Sequence, residues 1–198
     1  SKNKTFKSVM SWVDAIVYAL ILVYFVFAFI GQNYQIPSSS LEKTLLTGDY
    51  LWVNKFVYGP RVPMTPVHFP LTHNRLPVLN CNSYLDSPSL EYHRLKGLRS
   101  VERGDIVVFN FPAGDTVTTR FEDSPEYYDA LVRKYGREAI KANPQTFGEV
   151  IYRPVDRRQN FVKRAVGLPG ERLRISGDTI YVDGKPLEFP KDVQFNYL

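Results

Sequence analysis

The longest apolar stretch of this chain runs from Ala15 to Ile30, AIVYALILVYFVFAFI, and holds no charge and neither Gly nor Pro. With Met10, Trp12, Val13 and Gly31 around the lone Asp14, segment 10–31 reaches about the 20 residues that a bilayer core requires. Backbone groups in lipid must bond within their own segment, so the pattern predicts one uninterrupted helix. Beyond residue 31 the apolar runs become short and are separated by turn residues. Leu51-Trp52-Val53, Ile106 to Phe111, Phe161 to Val166, Leu173 to Ile175 and Thr179 to Val182 read as strands, with Asp183-Gly184 as a hairpin turn. Pro60, Pro63, Pro66, Pro70, Pro77 and Pro88 exclude long regular elements from 60–100, which reads as an irregular surface excursion. Ser124-Pro125-Glu126 starts one short helix, with Ser as N-cap and Pro at the first position. Tyr127, Ala130, Leu131, Lys134 and Tyr135 continue it at helical spacing, and Gly136 ends it. The predicted class is mainly β: an N-terminal transmembrane helix followed by an antiparallel β domain with a helical insertion.

Charge gives the helix a direction. Lys2, Lys4 and Lys7 precede it without an acidic residue among them, which places residues 1–9 in the cytoplasm and 32–198 on the outer face. A cleavable secretory signal has the same charge order. This run is longer, rich in Tyr and Phe, and Ala28-Phe29-Ile30-Gly31 is a poor cleavage site. About 165 residues follow the anchor, enough for one domain with its own core. Cys81 is the sole cysteine, so an internal disulfide framework and a cysteine metal site are excluded. His68, His73 and His93 all fall in the excursion, match no metal-ligand spacing and read as surface residues. The net charge of +5 comes without the aromatic-basic interleaving of a nucleic-acid surface. No metal, cofactor or nucleic-acid partner is expected.

Just beyond the anchor lies Ile36-Pro37-Ser38-Ser39-Ser40. A serine hydroxyl is a poor nucleophile until a nearby base takes its proton. With every histidine in the excursion, a Ser-His-Asp triad has little support. A lysine can replace histidine when an apolar pocket disfavours its ammonium form. In the predicted strand Phe161-Val162-Lys163-Arg164-Ala165-Val166, Lys163 shares a face with Phe161 and Ala165, and Arg164 points to the other side. Composition alone leaves Lys163 open to the ordinary reading of a solvated strand residue.

The segments Ile36-Pro37-Ser38-Ser39-Ser40-Leu41-Glu42-Lys43-Thr44-Leu45 and Gly48-Asp49-Tyr50-Leu51-Trp52-Val53-Asn54-Lys55-Phe56-Val57-Tyr58-Gly59 resemble the nucleophile region of bacterial type I signal peptidases. Arg103-Gly104-Asp105-Ile106-Val107-Val108-Phe109 and Phe161-Val162-Lys163-Arg164-Ala165-Val166-Gly167-Leu168-Pro169-Gly170-Glu171 are similar to that family's strand and base region. The resemblance implies Ser40 as nucleophile, Lys163 as general base and Ser38 as an oxyanion-hole hydroxyl beside the Ser40 N–H. Ile36, Pro37, Leu41, Leu45 and Val162 fall on the positions of the apolar pocket for a small substrate side chain, and plain core packing explains them equally. It further implies a serine endopeptidase of the bacterial inner membrane, its catalytic domain periplasmic, with signal peptides of exported preproteins and the lipid bilayer as partners. The alternative is a catalytically silent anchored protein that binds preproteins or a translocation partner. Leu41 stands where the family has methionine, Ser39 where glycine is common, and Lys43 at the usual proline. The family's distal block, Gly-Asp-Asn then Ser-x-Asp-Ser-Arg, has no counterpart before Leu198, which leads to the expectation of a C-terminally truncated sequence. Segments 60–100 and 112–160 resemble insertions of Bacteroidetes members.

Overall fold

The apolar N-terminal run folds as a single helix because nothing in it breaks a helix. A computed structural model describes residues 2–76, 79, 81–112, 117–121 and 125–188, without side-chain placement for 2, 125 and 126. Helix α1 spans Lys2–Phe25, and a π-helical turn, Val26–Ile30, completes it. The helix therefore starts well before Met10, since the Lys, Asn, Thr and Ser residues that precede it include no breaker. Its apolar side chains, Phe6, Trp12, Tyr18 and Phe25 among them, are exposed. Asn3–Ile30 is long and apolar enough to cross a membrane. Gly31, counted above with the anchor, is instead the first residue of a strand.

That strand, β1 (Gly31–Gln35), has no strong apolar pattern and was not expected. It pairs antiparallel with β2 (Tyr50–Asn54), Gly31 opposite Asn54 and Gln35 opposite Tyr50. Strand β3 (Ile106–Asn110) pairs with β6 (Asn160–Arg164). Bonds from Ala165 N–H to Asp105 O (2.8 Å) and from Phe111 N–H to Gln159 O (2.9 Å) flank the pair in the antiparallel sense. Two short strands, β4 (Val117–Thr118) and β5 (Val150–Ile151), form another antiparallel pair. Strands β7 (Leu173–Ser176), β8 (Thr179–Val182) and β9 (Lys185–Pro186) make a three-stranded meander. Asp183 and Gly184 both take positive φ, 50° and 79°, as the predicted tight turn requires. The outcome is an apolar helix and several small antiparallel sheets, looser than one continuous β domain.

The predicted single helix is three. After α2 (Pro125–Tyr135), Gly136 at φ 79° redirects the chain into α3 (Arg137–Ala142), and Pro144 opens α4 (Pro144–Phe147). The proposed N-cap, Ser124, lies outside the described residues. Tyr128, Leu131 and Ile140 form the buried cluster of this region, with Phe121, Val132, Phe147 and Val150 packed against it.

The described residues of 1–62, 92–107 and 163–198 form one unit, and those of 63–91 and 108–162 a second. Among the described residues, the proline-rich stretch contains only isolated bridges, His68 with Tyr84 and Arg75 with Asn82 in the second unit. It is nonetheless anchored. Thr65, Ser83 and Arg157 are buried, and Arg157 donates to Thr65 Oγ1 (2.6 Å) and to the carbonyls of His73 (3.0 Å) and Thr65 (3.3 Å). Its guanidinium also lies over the Tyr84 ring, 4.8 Å from the centroid. Asp156 accepts from Thr65 N–H (2.9 Å) and Oγ1 (3.0 Å). His68 is half-buried rather than a plain surface residue, its Nδ1 3.1 Å from Thr65 O. Burial and the nearby Arg157 guanidinium push its imidazole below the ordinary value.

Candidate active site

The serine run hangs from the end of β1 in a loop closed at its base. Ile36 N–H bonds Asp49 O and Gly48 N–H bonds Ile36 O, both at 2.9 Å. Within the loop Ser38 is extended (φ −142°, ψ 156°) and Ser39–Leu41 form one 3-10 turn. Leu45 N–H returns to Leu41 O (2.8 Å), and Leu46 N–H bonds Asp49 Oδ2 (2.8 Å). Ser39 is not among the positive-φ residues, so the glycine common at that position is not needed here. Lys43 adopts φ 71°, a value closed to proline, whose ring fixes φ near −65°. The loop thus follows a path that the usual proline would forbid.

Lys163 is the fourth residue of β6, and its Nζ donates to Ser40 Oγ at 2.6 Å. The two side chains are 123 positions apart in sequence, and the distance suits direct proton transfer. Ser38 Oγ lies 3.5 Å from Ser40 Oγ, near enough for its hydroxyl to swing toward an oxygen beside the nucleophile. One expectation fails: Lys163 is exposed rather than buried in an apolar pocket. Ala165 is half-buried, and the amine meets a loop whose Ser38, Ser39 and Ser40 are themselves exposed.

Of the predicted pocket residues in this unit, Ile36 is buried, Leu41 and Leu45 are half-buried, and Pro37 is exposed. Ile36 serves packing at the loop base. Val162 is half-buried and belongs to the other unit.

The lysine strand is fixed by residues that carried little signal in the sequence. Arg164, on the opposite face from Lys163, donates to Thr44 Oγ1 (3.0 Å) and to Gly104 O (2.9 Å), strapping the serine loop to the turn before β3. Asp105 receives two bonds from Arg99 (2.7 and 2.9 Å), one from Tyr58 Oη (2.7 Å) and one from Glu102 N–H (2.8 Å). Arg99 and the other donors hold the Asp105 carboxyl well below the usual carboxylate range. Arg103 pairs with Glu171, which also accepts from Leu168 N–H (2.7 Å) and so pins the turn after β6. Alternation along β6 would have located Arg164; Asp105 carried no signal beyond its turn. Among the described residues no cluster of three or more His, Cys, Asp or Glu is placed to hold a metal.

The chain matches the family described as signal peptidase, peptidase S26, over residues 9–197. It is 24% identical to signal peptidase I of Pseudomonas fluorescens, over 84% of this chain and 35% of that protein. Identity to signal peptidase I of Helicobacter pylori is 37%, over 50% of this chain and 28% of that protein. Signal peptidase I P of Bacillus subtilis subsp. natto is 24% identical over 93% of this chain and 56% of its own length. The chain spans about a third of the Pseudomonas protein and little more than half of the Bacillus one. No solved structure matches it. A family match that runs through nearly the whole chain, together with a serine and a lysine joined across 123 positions, makes this chain a member of the signal peptidase family, peptidase S26.

Proposed function

We propose that the protein is a membrane-anchored serine endopeptidase that removes N-terminal signal peptides from exported preproteins through a Ser40-Lys163 dyad. The observation that carries this reading is the 2.6 Å contact between Lys163 Nζ and Ser40 Oγ. Lys163, in its neutral form, accepts the Ser40 proton as Oγ attacks the scissile carbonyl. Ser38 Oγ and the Ser40 N–H stabilise the oxyanion. The protonated lysine then gives its proton to the leaving amine, and water hydrolyses the acyl-enzyme. A substrate backbone laid over the loop excludes water from the exposed pair. Pro37, Leu41 and Leu45 are the residues of this unit that we assign to the small apolar pocket for the residue before the cut.

The apolar helix supports an anchor in a bacterial inner membrane, and Lys4 and Lys7 support a cytoplasmic N-terminus with residues 32–198 outside. Strand β1 begins where the helix ends and is five residues long, about 14 Å at the usual strand rise. The serine loop at its far end therefore stays near the bilayer, where a signal peptide leaves its cleavage point.

The test is cleavage of a preprotein by the protein in detergent, with Ser40→Ala and Lys163→Met beside wild type. Each variant is expected to lose about a thousandfold or more, and the double variant to lose no more than either alone, because the two residues act as a unit. A wild-type rate in either single variant would overturn the dyad.

A further inference from the structure

The join between the helix and the strand pair is held by a residue with no role in the chemistry above. In the last turn, Gly31 N–H reaches back to Val26 O, one residue further than an α-helical bond, so the Phe27 carbonyl loses its usual helical donor. It loses that donor where the helix leaves its apolar span, where an unbonded carbonyl is costly. Lys55, the first residue after β2, fills the gap: its Nζ donates to Phe27 O. Its own N–H bonds Ile30 O at 2.9 Å. Both bonds from one residue thus end on the last turn of the helix. The side chain is half-buried, and a cation at a helix C-terminus is favoured by the helix dipole.

We propose that Lys55 is a latch between the anchor helix and the β1–β2 pair, a positioning residue that sets the height of Ser40 over the bilayer. This rests on the reading of Ser40 as the nucleophile of a membrane-anchored peptidase. The geometry makes the join a lever. The serine loop stands at the far end of β1, and a swing of about 20° at the helix end moves it by roughly 5 Å over a strand of that length. Misplacement of about 1 Å can cost on the order of a hundredfold in rate when the substrate is held elsewhere. A preprotein with its apolar segment still in lipid is held in that way. A short soluble peptide is not, and can follow the site wherever it moves.

The experiment compares Lys55→Met, Lys55→Gln and Lys55→Arg with wild type in proteoliposomes, on a preprotein embedded in the same bilayer and on a soluble peptide spanning its cleavage point. Met and Gln variants are expected to lose about tenfold or more on the embedded preprotein and to keep the peptide rate within about twofold. The Arg variant, which restores a cationic donor, is expected to keep both rates. A second readout uses Trp52, whose indole lies over Gly31, in a Trp12→Phe background that leaves it as the sole tryptophan. Quenching by lipids brominated at defined acyl depths is expected to give one narrow depth in wild type and a broad one in Lys55→Met. Equal losses on both substrates, or none on either, with Trp52 depth unchanged, would overturn the latch. Peptide cleavage that survives Ser40→Ala would sink the dyad instead, and the two failures are thereby distinguishable.

Discussion

A single carboxylate shows how the lysine strand is held. Asp105 sits at the turn into β3, and its backbone bonds Ala165, two residues beyond Lys163, at 2.8 Å. Its side chain accepts from Arg99, from the Tyr58 hydroxyl and from the Glu102 N–H. Because these donors favour the charged form, the folded-state pKa lies below the unfolded one. The contribution to stability is then fully present above the unfolded value near 3.9 and is lost as pH falls toward the folded value. Arg99→Gln is expected to lower stability at neutral pH, where the contribution is fully present, and so to raise the pH midpoint of acid unfolding, followed by tryptophan fluorescence in detergent. An acid midpoint identical to wild type would show that Arg99 does not hold the carboxylate. Resemblance to the family located Ser40, Lys163 and Ser38 in the sequence, and the first two do meet. It did not give the exposure of Lys163, which depends on how far a flexible side chain reaches toward a loop more than a hundred positions away.

Among the elements, the β1–β2 pair carries the link from the apolar helix to the serine loop, and its tightest point is Gly31. A Cβ at this residue would lie 2.7 Å from the Val53 carbonyl oxygen and 2.7 Å from two atoms of the Trp52 ring. The backbone there is extended (φ 177°), so it is close approach, not backbone strain, that calls for glycine. Gly31→Ala is expected to destabilise the pair by about 1–3 kcal/mol, the usual range for overpacking. Thermal unfolding in detergent, followed by far-ultraviolet circular dichroism, measures it. Adding Trp52→Leu removes the ring clash but leaves the carbonyl clash, so only part of the loss should return. A melting temperature unchanged in Gly31→Ala would mean that strand and ring separate freely. Strand β1 was illegible in the sequence for a related reason. Gly31-Gln32-Asn33-Tyr34-Gln35 has one aromatic and no β-branched residue, and forms a strand because β2 offers it a partner. Strands β2, β3, β6, β7 and β8 carry their own β-branched and aromatic residues and were legible without one.

At the scale of the molecule, the second unit shows a proline-rich segment ordered without regular structure. The described residues of 60–100 hold no helix and no strand beyond isolated bridges, in keeping with the prolines, but the prolines said nothing about what would fix the path instead. The fixing is done by Arg157, 5% exposed, which joins Thr65, His73 and Tyr84 from a position more than eighty residues downstream of them or close to it. No local pattern announces such a residue, because every partner is remote in sequence. Removing it takes one donor each from the His73 carbonyl, the Thr65 carbonyl and the Thr65 hydroxyl, which keep Ser83 Oγ, His68 Nδ1 and Asp156 as their other neighbours. Arg157→Met, which keeps the apolar stem, is expected to destabilise this unit by about 1–3 kcal/mol through the lost hydrogen bonds. Arg157→Lys should rescue little of that, since one ammonium cannot span three acceptors and lie over the Tyr84 ring as a planar guanidinium does. Limited proteolysis with mass mapping reads the outcome: both variants are expected to open new cleavage sites within 63–91 while sites in 31–59 keep the wild-type pattern. Full protection of 63–91 in Arg157→Met would show that the prolines alone hold the excursion. Rescue by lysine would show that a charge, rather than the fork of donors, is what the cluster requires.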